Sequence, residues 1–412
     1  MTSRERIRAA LDHRETGRVP VDFSGHFSSG ISAIAYNKLR RYLDLPEKPI
    51  RIMDPGQQLA VVDDDVLDLF GVDTIMLGRA FWDDPMMWGD WIMPDGSPCQ
   101  MPVWTMPERE TNRWVIKDST DRVVSVMPDG ALYFEQAYWP FAESDDRLGD
   151  LAEVLAERGD AGAAPPGPMP AGEDRARKLA EGAKRLRSST ERAIMGVFGG
   201  SLFEFGQSMY GGEAFFMMLA AEPSRVHRFL DAATELHMAA LERYLGEVGG
   251  SIDVIVFGDD LGMQTGPLMS PAMYRDYFKP RHAALWKQAK QLADVRVNLH
   301  SCGDISALIP DLIDAGLDSV NPVQISCPGM DLARLKREFG ADLTFWGGGC
   351  DTRAVLPNAK PRDIARHVRE QVAVGRIGGG FVFQQVHNVM ADIPPENIAA
   401  MFETLQSINR EG

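Results

Sequence analysis

The sequence predicts an α/β fold, specifically a (β/α)8 TIM barrel with an antiparallel β-hairpin insertion. Eight short, almost continuously apolar segments recur along the 412 residues, as expected for buried parallel strands. Amphipathic helical stretches lie between them, and this alternation favours a closed barrel over a doubly wound sheet. The predicted strands are 19–24, 72–77, 194–198, 254–258, 295–300, 318–323, 343–347 and 381–386.

Two stretches interrupt the alternation, and we interpret both as insertions within a single barrel domain spanning residues 1–412. Residues 80–140 have no helical period and carry turn signals between β-rich runs, which predicts antiparallel hairpins. Residues 159–175 are rich in Pro, Gly and Ala, which predicts a flexible surface loop.

Composition and charge exclude several classes of protein. A formal net charge of -16 argues against a nucleic-acid partner, which requires a basic face. The charged, amphipathic N-terminus is not a signal peptide, and no apolar run is long enough to span a membrane. Four cysteines in a chain of this length do not form a disulfide framework and fit a reducing cytoplasm. We therefore expect a cytoplasmic protein.

The strongest chemical signal is the pair His300 and Cys302 at the end of the fifth predicted strand. Residues i and i+2 of an extended segment point to the same side, so both side chains can bind one tetrahedral ion. Parallel strands of a barrel also bring their C-terminal ends to one face. A third ligand can therefore come from a later strand, where His387 is favoured and Cys350 is kept as the alternative. These donors predict a zinc site.

Polar side chains that follow other predicted strands are candidates for catalysis or substrate binding. Asp259 and Asp260 are adjacent carboxylates suited to general-base work, with helix and loop capping as the alternative. Gln324 is the third predicted catalytic residue, and it is expected to hydrogen-bond substrate or the metal ligands, because glutamine is a poor zinc ligand. Arg79 suits a substrate carboxylate. The predicted substrate-binding residues are Asp22, His26, Arg79, Gln264 and Asn298.

Four segments resemble the uroporphyrinogen decarboxylase superfamily, whose fold is a (β/α)8 barrel. They are SRERIRAALDHRETGRVPVDF, IMGVFGGSLFEFGQSMYGG, SPAMYRDYFKPRHAALWK and HSCGD…NPVQ…GGGCDT…HNVMADIPPENIAAMF. Porphyrin decarboxylases carry an Arg-rich motif, RQAGRY, after the first strand, where this sequence reads FSGHFSSGIS without arginine. The sequence therefore resembles the zinc-dependent methyltransferase branch of the superfamily, and uroporphyrinogen is not the expected substrate.

The resemblance implies a ligand set and a reaction. Corrinoid-dependent methyltransferases of this branch bind zinc through a His-x-Cys pair, which His300 and Cys302 match, and a later Cys, which aligns with His387. A family glutamate aligns with Gln324, so the sequence departs at two of the four positions. The implied reaction moves a methyl group between a small O-, N- or S-methylated donor, or a thiol acceptor, and a corrinoid (methylcobalamin) carried by a partner protein.

The sequence contains no Asp-x-His-x-x-Gly cobalamin motif, which favours a corrinoid bound by the partner protein. Barrels of the superfamily often pair, so a homodimer is compatible with the resemblance. Two alternatives stay open. One is a metal-independent decarboxylase or lyase of a small carboxylic acid, with Arg79, Asp259 and Asp260 as anchors. The other is a non-catalytic barrel that recruits a corrinoid protein.

Overall fold

A curled, seven-stranded parallel sheet forms the centre of the α/β fold. The structure is a computed structural model that describes residues 1–82, 84–118, 120–158 and 174–411. The predicted flexible loop at 159–175 lies almost entirely outside the described residues.

Spatial order in the parallel sheet follows chain order, with helices in the connections. The α/β class and seven of the eight predicted parallel strands are thereby confirmed. With all strands numbered in chain order, the sheet contains β3 (Thr74–Met76), β10 (Ala193–Gly199), β11 (Val254–Gly258), β14 (Arg296–His300), β15 (Ser319–Asn321), β16 (Thr344–Trp346) and β17 (Phe381–Val382).

The remaining described strands form smaller sheets. β4 pairs antiparallel with β5, and β6 to β9 form a second antiparallel sheet. β1 pairs antiparallel with β2 and parallel with β5. These strands are β1 (Ile50–Asp54), β2 (Leu59–Ala60), β4 (Trp88–Ile92), β5 (Pro98–Pro102), β6 (Glu108–Arg109), β7 (Arg113–Lys117), β8 (Val123–Pro128), β9 (Glu135–Gln136), β12 (Gly262–Met263) and β13 (Gly266–Pro267).

Helices surround the parallel sheet, and one turn of π-helix at Tyr274–Phe278 precedes α10. None of the helices in the described ranges combines the length and the apolar character that crossing a bilayer requires. The α-helices are α1 (Ser3–Leu11), α2 (Ala33–Tyr42), α3 (Asp64–Leu69), α4 (Leu151–Arg158), α5 (Arg175–Ser189), α6 (Phe203–Tyr210), α7 (Gly212–Ala221), α8 (Pro223–Val248), α9 (Pro271–Met273), α10 (Lys279–Leu292), α11 (Ile309–Asp314), α12 (Leu332–Phe339), α13 (Val355–Asn358), α14 (Pro361–Gly375) and α15 (Pro395–Glu411).

The first predicted strand, 19–24, is the exception. It forms one isolated parallel bridge, between Val21 and Phe383, rather than a strand. Pro20 has no backbone N–H to donate, and Ser24 turns with a φ of 63°, so regular pairing stops on both sides of Val21. The carbonyl oxygen of Val21 nevertheless accepts a hydrogen bond of 2.7 Å from Asp73 N, just before β3. Both edges of the parallel sheet therefore hydrogen-bond the same segment.

Helix α1 covers the N-terminal ends of the parallel strands. Its apolar residues Ile7, Ala10 and Leu11 are buried in one cluster with residues from β10, β11, β16 and β17. Two buried carboxylates at the strand starts, Asp73 and Asp253, bind the arginines of α1. Asp73 lies 2.5 Å from Arg6 Nη1 and also accepts a hydrogen bond of 2.9 Å from Val21 N.

We predict that Asp73→Asn destabilises the fold by about 3–5 kcal/mol, because it leaves the largely buried Arg6 guanidinium without its counter-ion. Urea unfolding measures the change. Asp294→Asn is the matched control, since Asp294 also pairs with an α1 arginine, Arg8, but its side chain is 92% exposed. The control is expected to unfold like the wild type. Equal losses in the two variants would contradict the role given to Asp73.

Candidate metal centre

Two imidazoles and one thiol converge at the C-terminal ends of the parallel strands. His300 is the last residue of β14, Cys302 follows it closely, and His387 follows β17. One ligand atom from each residue lies within 4.8 Å of the other two. Among the described residues, this is the one group of three or more His, Cys, Asp or Glu side chains with such spacing. The structure therefore brings together three of the four residues predicted as zinc ligands.

The geometry of this group fits a tetrahedral metal ion. Nε2 of His300 lies 3.4 Å from Sγ of Cys302, and the ring centroids of His300 and His387 are 5.5 Å apart. With bonds of about 2.0 Å to nitrogen and about 2.3 Å to sulfur, a tetrahedral angle separates the two donors by about 3.5 Å. Imidazole and thiol are also donors that zinc prefers. The residues present therefore fit zinc.

Burial keeps both imidazoles neutral, which leaves ring nitrogens free to bind a cation. Desolvation, with the neighbouring His300 and His26, lowers the pKa of His387 to about 3. Burial also lowers the pKa of His300, although Asp260 and Asn321 oppose this shift. Neutral imidazole is the form that binds metal ions.

The thiol of Cys302 has surroundings that disfavour a bare thiolate. Burial raises its pKa, and the carboxyl groups of Asp260 and Glu204 raise it further. A thiol that binds a metal ion does so as the thiolate, stabilised by the positive charge of the ion. The sulfur at this position is therefore best stabilised by a proton or by a cation.

Two hydrogen bonds and one glycine fix the loop that carries Cys302. Asp260 Oδ1 accepts from Cys302 N at 2.7 Å, and Gln324 Oε1 accepts from Gly303 N at 2.7 Å. Gly303 has a φ of 85°, and a β-carbon there would lie 2.3 Å from the carbonyl carbon of Gly262. Only glycine fits such a conformation and such a contact. Asp260 and Gln324, both predicted as catalytic, thus lie beside the group and hold its loop.

Cys350, the other predicted third ligand, lies outside this group. Its side chain is fully buried, and the residue forms a parallel bridge with Gln385. Burial raises the pKa of its thiol, with Asp351 adding to the shift. Its surroundings are those of a small buried apolar residue. Of the two candidates, the structure brings His387 to the pair and leaves Cys350 in the core.

Asp259, predicted as catalytic, binds the N-terminus of helix α6. Its carboxylate accepts hydrogen bonds of 2.9 to 3.1 Å from the backbone N–H groups of Leu202, Phe203 and Glu204 at the start of α6. His282 Nε2 lies 3.1 Å from its Oδ2. A carboxylate is stabilised there by unpaired amides and by the helix dipole. These contacts make Asp259 the anchor of α6, and they give no support to a catalytic role.

Asp22 and His26 lie in a buried network beside the group of His300, Cys302 and His387. Asp22 accepts hydrogen bonds from Thr74 Oγ1 at 2.6 Å and Trp346 Nε1 at 2.8 Å, and His26 Nε2 lies 3.3 Å from its Oδ2. Burial acts to raise the pKa of Asp22, but the contacts with His26, Thr74 and Trp346 lower it overall. The His26 ring centroid is 6.5 Å from that of His300. The structure thus brings His26 next to the group, with Asp22 behind it.

Two further predicted substrate-binding residues make contacts within the protein. Asn298 lies on β14 and is fully buried, and its Nδ2 donates to Ser319 Oγ at 2.8 Å. Gln264 joins loops at the strand ends, donating to Ser326 O at 2.7 Å and accepting from Arg353. These contacts indicate a structural role for Asn298 and Gln264.

Arg79 was predicted to bind a substrate carboxylate, and its position does not support that role. Its guanidinium donates to the carbonyl oxygen of Val62 and pairs with Asp64 Oδ1 at 2.7 Å. Neither partner belongs to the group of His300, Cys302 and His387. A charged residue that follows a strand can bind a substrate or can form an ion pair. Arg79 forms an ion pair at the start of a neighbouring helix, α3.

Glu204 is a site residue that the sequence analysis missed. It lies in the first turn of α6, and a β-carbon on Gly258 would be 4.0 Å from its Oε2. Burial, with the charges of Asp260 and Asp259, raises the pKa of Glu204 to about 8. Shifts of this kind concentrate at functional sites. The available signal was an acid among apolar residues just after the third predicted strand, in GSLFEF.

Comparison with known proteins identifies the family. The family model described as "Uroporphyrinogen decarboxylase (URO-D)" matches residues 160–408, more than half of the chain. The chain belongs to the URO-D family. The resemblance found in the sequence is thereby confirmed.

Curated relatives match this URO-D family chain over shorter stretches. It is 27% identical over 154 residues to a methylated-thiol–coenzyme M methyltransferase of Methanosarcina mazei, covering 37% of the chain and 38% of that relative. It is 28% identical over 145 residues to a uroporphyrinogen decarboxylase of Legionella pneumophila, covering 35% of the chain and 39% of the relative. The matched part thus spans less than half the length of either relative.

A solved structure supports the fold of this URO-D family member along its whole length. It is described as a methyltransferase from Methanosarcina mazei, and it covers 99% of both chains with a TM-score of 0.60. The sequence identity is 16%, so this likeness concerns the fold alone.

The raised pKa of Glu204 predicts that this URO-D family protein loses stability as pH rises. Between its ordinary value of 4.5 and about 8, the unfolded chain releases a proton that the folded chain keeps, so the free energy of unfolding falls with pH. Glu204→Gln has no proton to release and is therefore expected to gain stability relative to the wild type, most above about pH 8.

Unfolding temperatures of chelator-treated wild type and Glu204→Gln across this pH range measure the effect. Glu213→Gln, at an exposed position in the first turn of α7, is the control and should follow the wild type. Parallel pH profiles of wild type and Glu204→Gln would rule out a proton held by Glu204.

Proposed function

We propose that this chain is a zinc-dependent methyltransferase that moves a methyl group between a small O-, N- or S-methylated substrate, or a thiol, and a corrinoid protein. The observation that carries the proposal is the convergence of His300, Cys302 and His387 at the C-terminal ends of the parallel strands. Membership of the URO-D family and the similarity to a methylated-thiol–coenzyme M methyltransferase support methyl transfer as the reaction class.

The chemistry required is activation of a poor leaving atom or of a thiol. When bound by these residues, zinc supplies a Lewis acid for the atom that carries the methyl group, or lowers the pKa of a thiol acceptor. His300, Cys302 and His387 contribute a single negative charge to a 2+ ion, and three protein ligands leave a fourth position for a small molecule.

The surrounding residues shape and polarise the space next to this position. Asp260 holds the Cys302 loop, and its partly exposed side chain lies 3.6 Å from His300 Nε2, so it can also contact a bound donor. His26, oriented by the charged Asp22, suits a hydrogen bond to the leaving atom. Glu204 adds a second carboxyl group on the Asp260 side.

The corrinoid is assigned to a partner protein because the sequence resembles enzymes that use one and contains no cobalamin motif of its own. In such a division of labour the corrinoid does the difficult chemistry, while the barrel orients the small molecule and stabilises charge.

We also infer that the parallel sheet closes into an eight-stranded barrel through the segment around Val21. The hydrogen bonds from Asp73 N to Val21 O and from Phe383 N to Pro20 O join the two edges of the sheet and support this inference. The antiparallel strands between Trp88 and Gln136 are then an insertion into a single barrel domain.

Metal content tests the ligand set. Protein purified without chelator is expected to hold about one zinc ion per chain, and Cys302→Ser is expected to lose it, because serine is a poor zinc ligand. Plasma emission spectroscopy measures the ion. Cys350→Ser is the matched control and should keep its zinc, since Cys350 is buried away from the group. Loss of zinc in Cys350→Ser alone would transfer the ligand role to that residue.

Methyl transfer is tested with free cobalamin in place of the partner protein. Wild type should accelerate demethylation of methylcobalamin by a small thiol, or methylation of cob(I)alamin by a panel of methyl ethers, methylamines and methyl thioethers. His387→Ala is expected to lose at least about 100-fold in rate, since even residues that only orient metal ligands contribute 10- to 100-fold. Absorbance of the corrin follows the reaction.

A wild type that lacks metal and leaves both cobalamin forms unchanged would overturn the proposal and favour the decarboxylase alternative. A zinc-containing wild type that is inactive in both directions would instead favour a barrel that only recruits its partner.

A further inference from the structure

The second ring nitrogen of His300 faces a buried amide. His300 Nδ1 lies 2.8 Å from Asn321 Oδ1. Asn321 Nδ2 in turn donates to the carbonyl oxygen of Trp346 at 3.1 Å and to Gln384 Oε1 at 2.7 Å. A backbone carbonyl can only accept a hydrogen bond, so the nitrogen of the Asn321 amide must face Trp346. The orientation of this amide is therefore set by the backbone of β16.

The fixed amide determines the tautomer of His300. Because Asn321 presents its oxygen to Nδ1, the contact is a hydrogen bond only when Nδ1 carries the proton. The lone pair then lies on Nε2, which is the atom 3.4 Å from Cys302 Sγ. In the other tautomer, the lone pair of Nδ1 and the oxygen of Asn321 would face each other in a buried site, which is unfavourable because neither acceptor has a donor.

Contacts at Nε2 agree with this assignment. Ser28 Oγ lies 3.2 Å from Nε2 and can donate its proton to the lone pair. Asp260 Oδ1, which would favour a proton on Nε2, is 3.6 Å away and accepts from Cys302 N instead. A distance of 3.6 Å is too long for a hydrogen bond.

Gln384 connects the two sides of the His300 ring. Its Oε1 accepts from Asn321, and its Nε2 donates to the carbonyl oxygen of Ser28 at 3.2 Å. Asn321 and Gln384 are both fully buried, so each polar atom requires a partner to offset desolvation. The result is a closed set of hydrogen bonds through Asn321, Gln384 and Ser28 that touches both nitrogens of one imidazole.

We propose that Asn321 is a positioning residue that selects Nε2 of His300 as the metal-binding nitrogen, with Gln384 and Trp346 O holding its amide in place. The proposal rests on the metal site of the proposed function. It adds that an uncharged amide, rather than a carboxylate, supports the histidine. A neutral partner donates less electron density through the imidazole than a carboxylate does, so the ion keeps more of its Lewis acidity.

Zinc affinity tests this role independently of catalysis. Asn321→Ala is expected to bind zinc 10- to 100-fold more weakly than the wild type, as losses of hydrogen-bond partners behind metal ligands do. Competition with a chromophoric chelator measures the dissociation constant. Asn397→Ala is the matched control, because Asn397 is a similarly buried asparagine whose amide contacts the carbonyl oxygens of Leu356 and Ala359 rather than a histidine. Its zinc affinity should equal that of the wild type.

A second measurement determines the tautomer of His300 directly, with one variant used to assign its signal. In metal-free wild type with ¹⁵N-labelled histidine, the His300 signal, assigned by its loss in His300→Gln, should show a proton on Nδ1. In Asn321→Ala this preference should be lost. A proton on Nε2 in the wild type, or equal zinc affinities of wild type and Asn321→Ala, would overturn the proposal. If Asn321→Ala does not fold, the wild-type spectrum decides.

The two proposals fail in different ways. A wild type that lacks metal and leaves both cobalamin forms unchanged would overturn the proposed function, while the nitrogen spectrum of metal-free protein would still decide the role of Asn321. A wild type that binds zinc with His300 protonated on Nε2 in the metal-free state would leave the proposed function intact and remove Asn321 from it.

Discussion

The hydrogen-bond register of three neighbouring strands is the constraint on which the candidate site depends. Gly258, His300 and Asn321 are paired across β11, β14 and β15, at the points where these strands end. Gly258 has no side chain to fill the space on one side of the imidazole, and Asn321 offers an acceptor on the other. Because side chains alternate between the two faces of a strand, a slip of one residue would turn His300 towards the helices. The ladder of main-chain hydrogen bonds therefore places the imidazole of His300.

Buried polar groups lie at both ends of the parallel strands. At the N-terminal ends of the interior, Met195 and Val254 pack against α1, and the buried Asp73 and Asp253 pair with arginines of that helix. At the C-terminal ends the interior contains carboxylates that are fully buried but bonded on several sides, such as Asp22 and Asp259. Asp22 and Asp259 are each stabilised by neighbours from other strands or helices, whereas Asn298 Oδ1 and Gln385 Oε1 have no hydrogen-bond partner among the described residues. Several bonds to one carboxylate hold it in a fixed position, which suits a site that must hold ligands at fixed distances.

The sequence was most informative where a feature depends on local spacing. Buried parallel strands leave continuous apolar runs, and the separation of His300 and Cys302 is fixed by strand geometry, so both were visible without a structure. The choice between His387 and Cys350 as the third ligand residue could not be made from the sequence, because it depends on the directions of two loops. Charged residues at strand ends were ambiguous for the same reason: Asp259 caps a helix, and Arg79 forms an ion pair. The environment of Glu204 arises only when α6 is placed over the end of β11.

The position of α1 has a consequence for access to the interior of the molecule. Ile7, Ala10 and Leu11 close the N-terminal end of the interior. The approach to His300, Cys302 and His387 is therefore at the C-terminal ends of the strands. Under the proposed function, the small methyl donor and the corrinoid protein would therefore use the same opening. They would bind one after the other, or the small molecule would be enclosed before the protein binds.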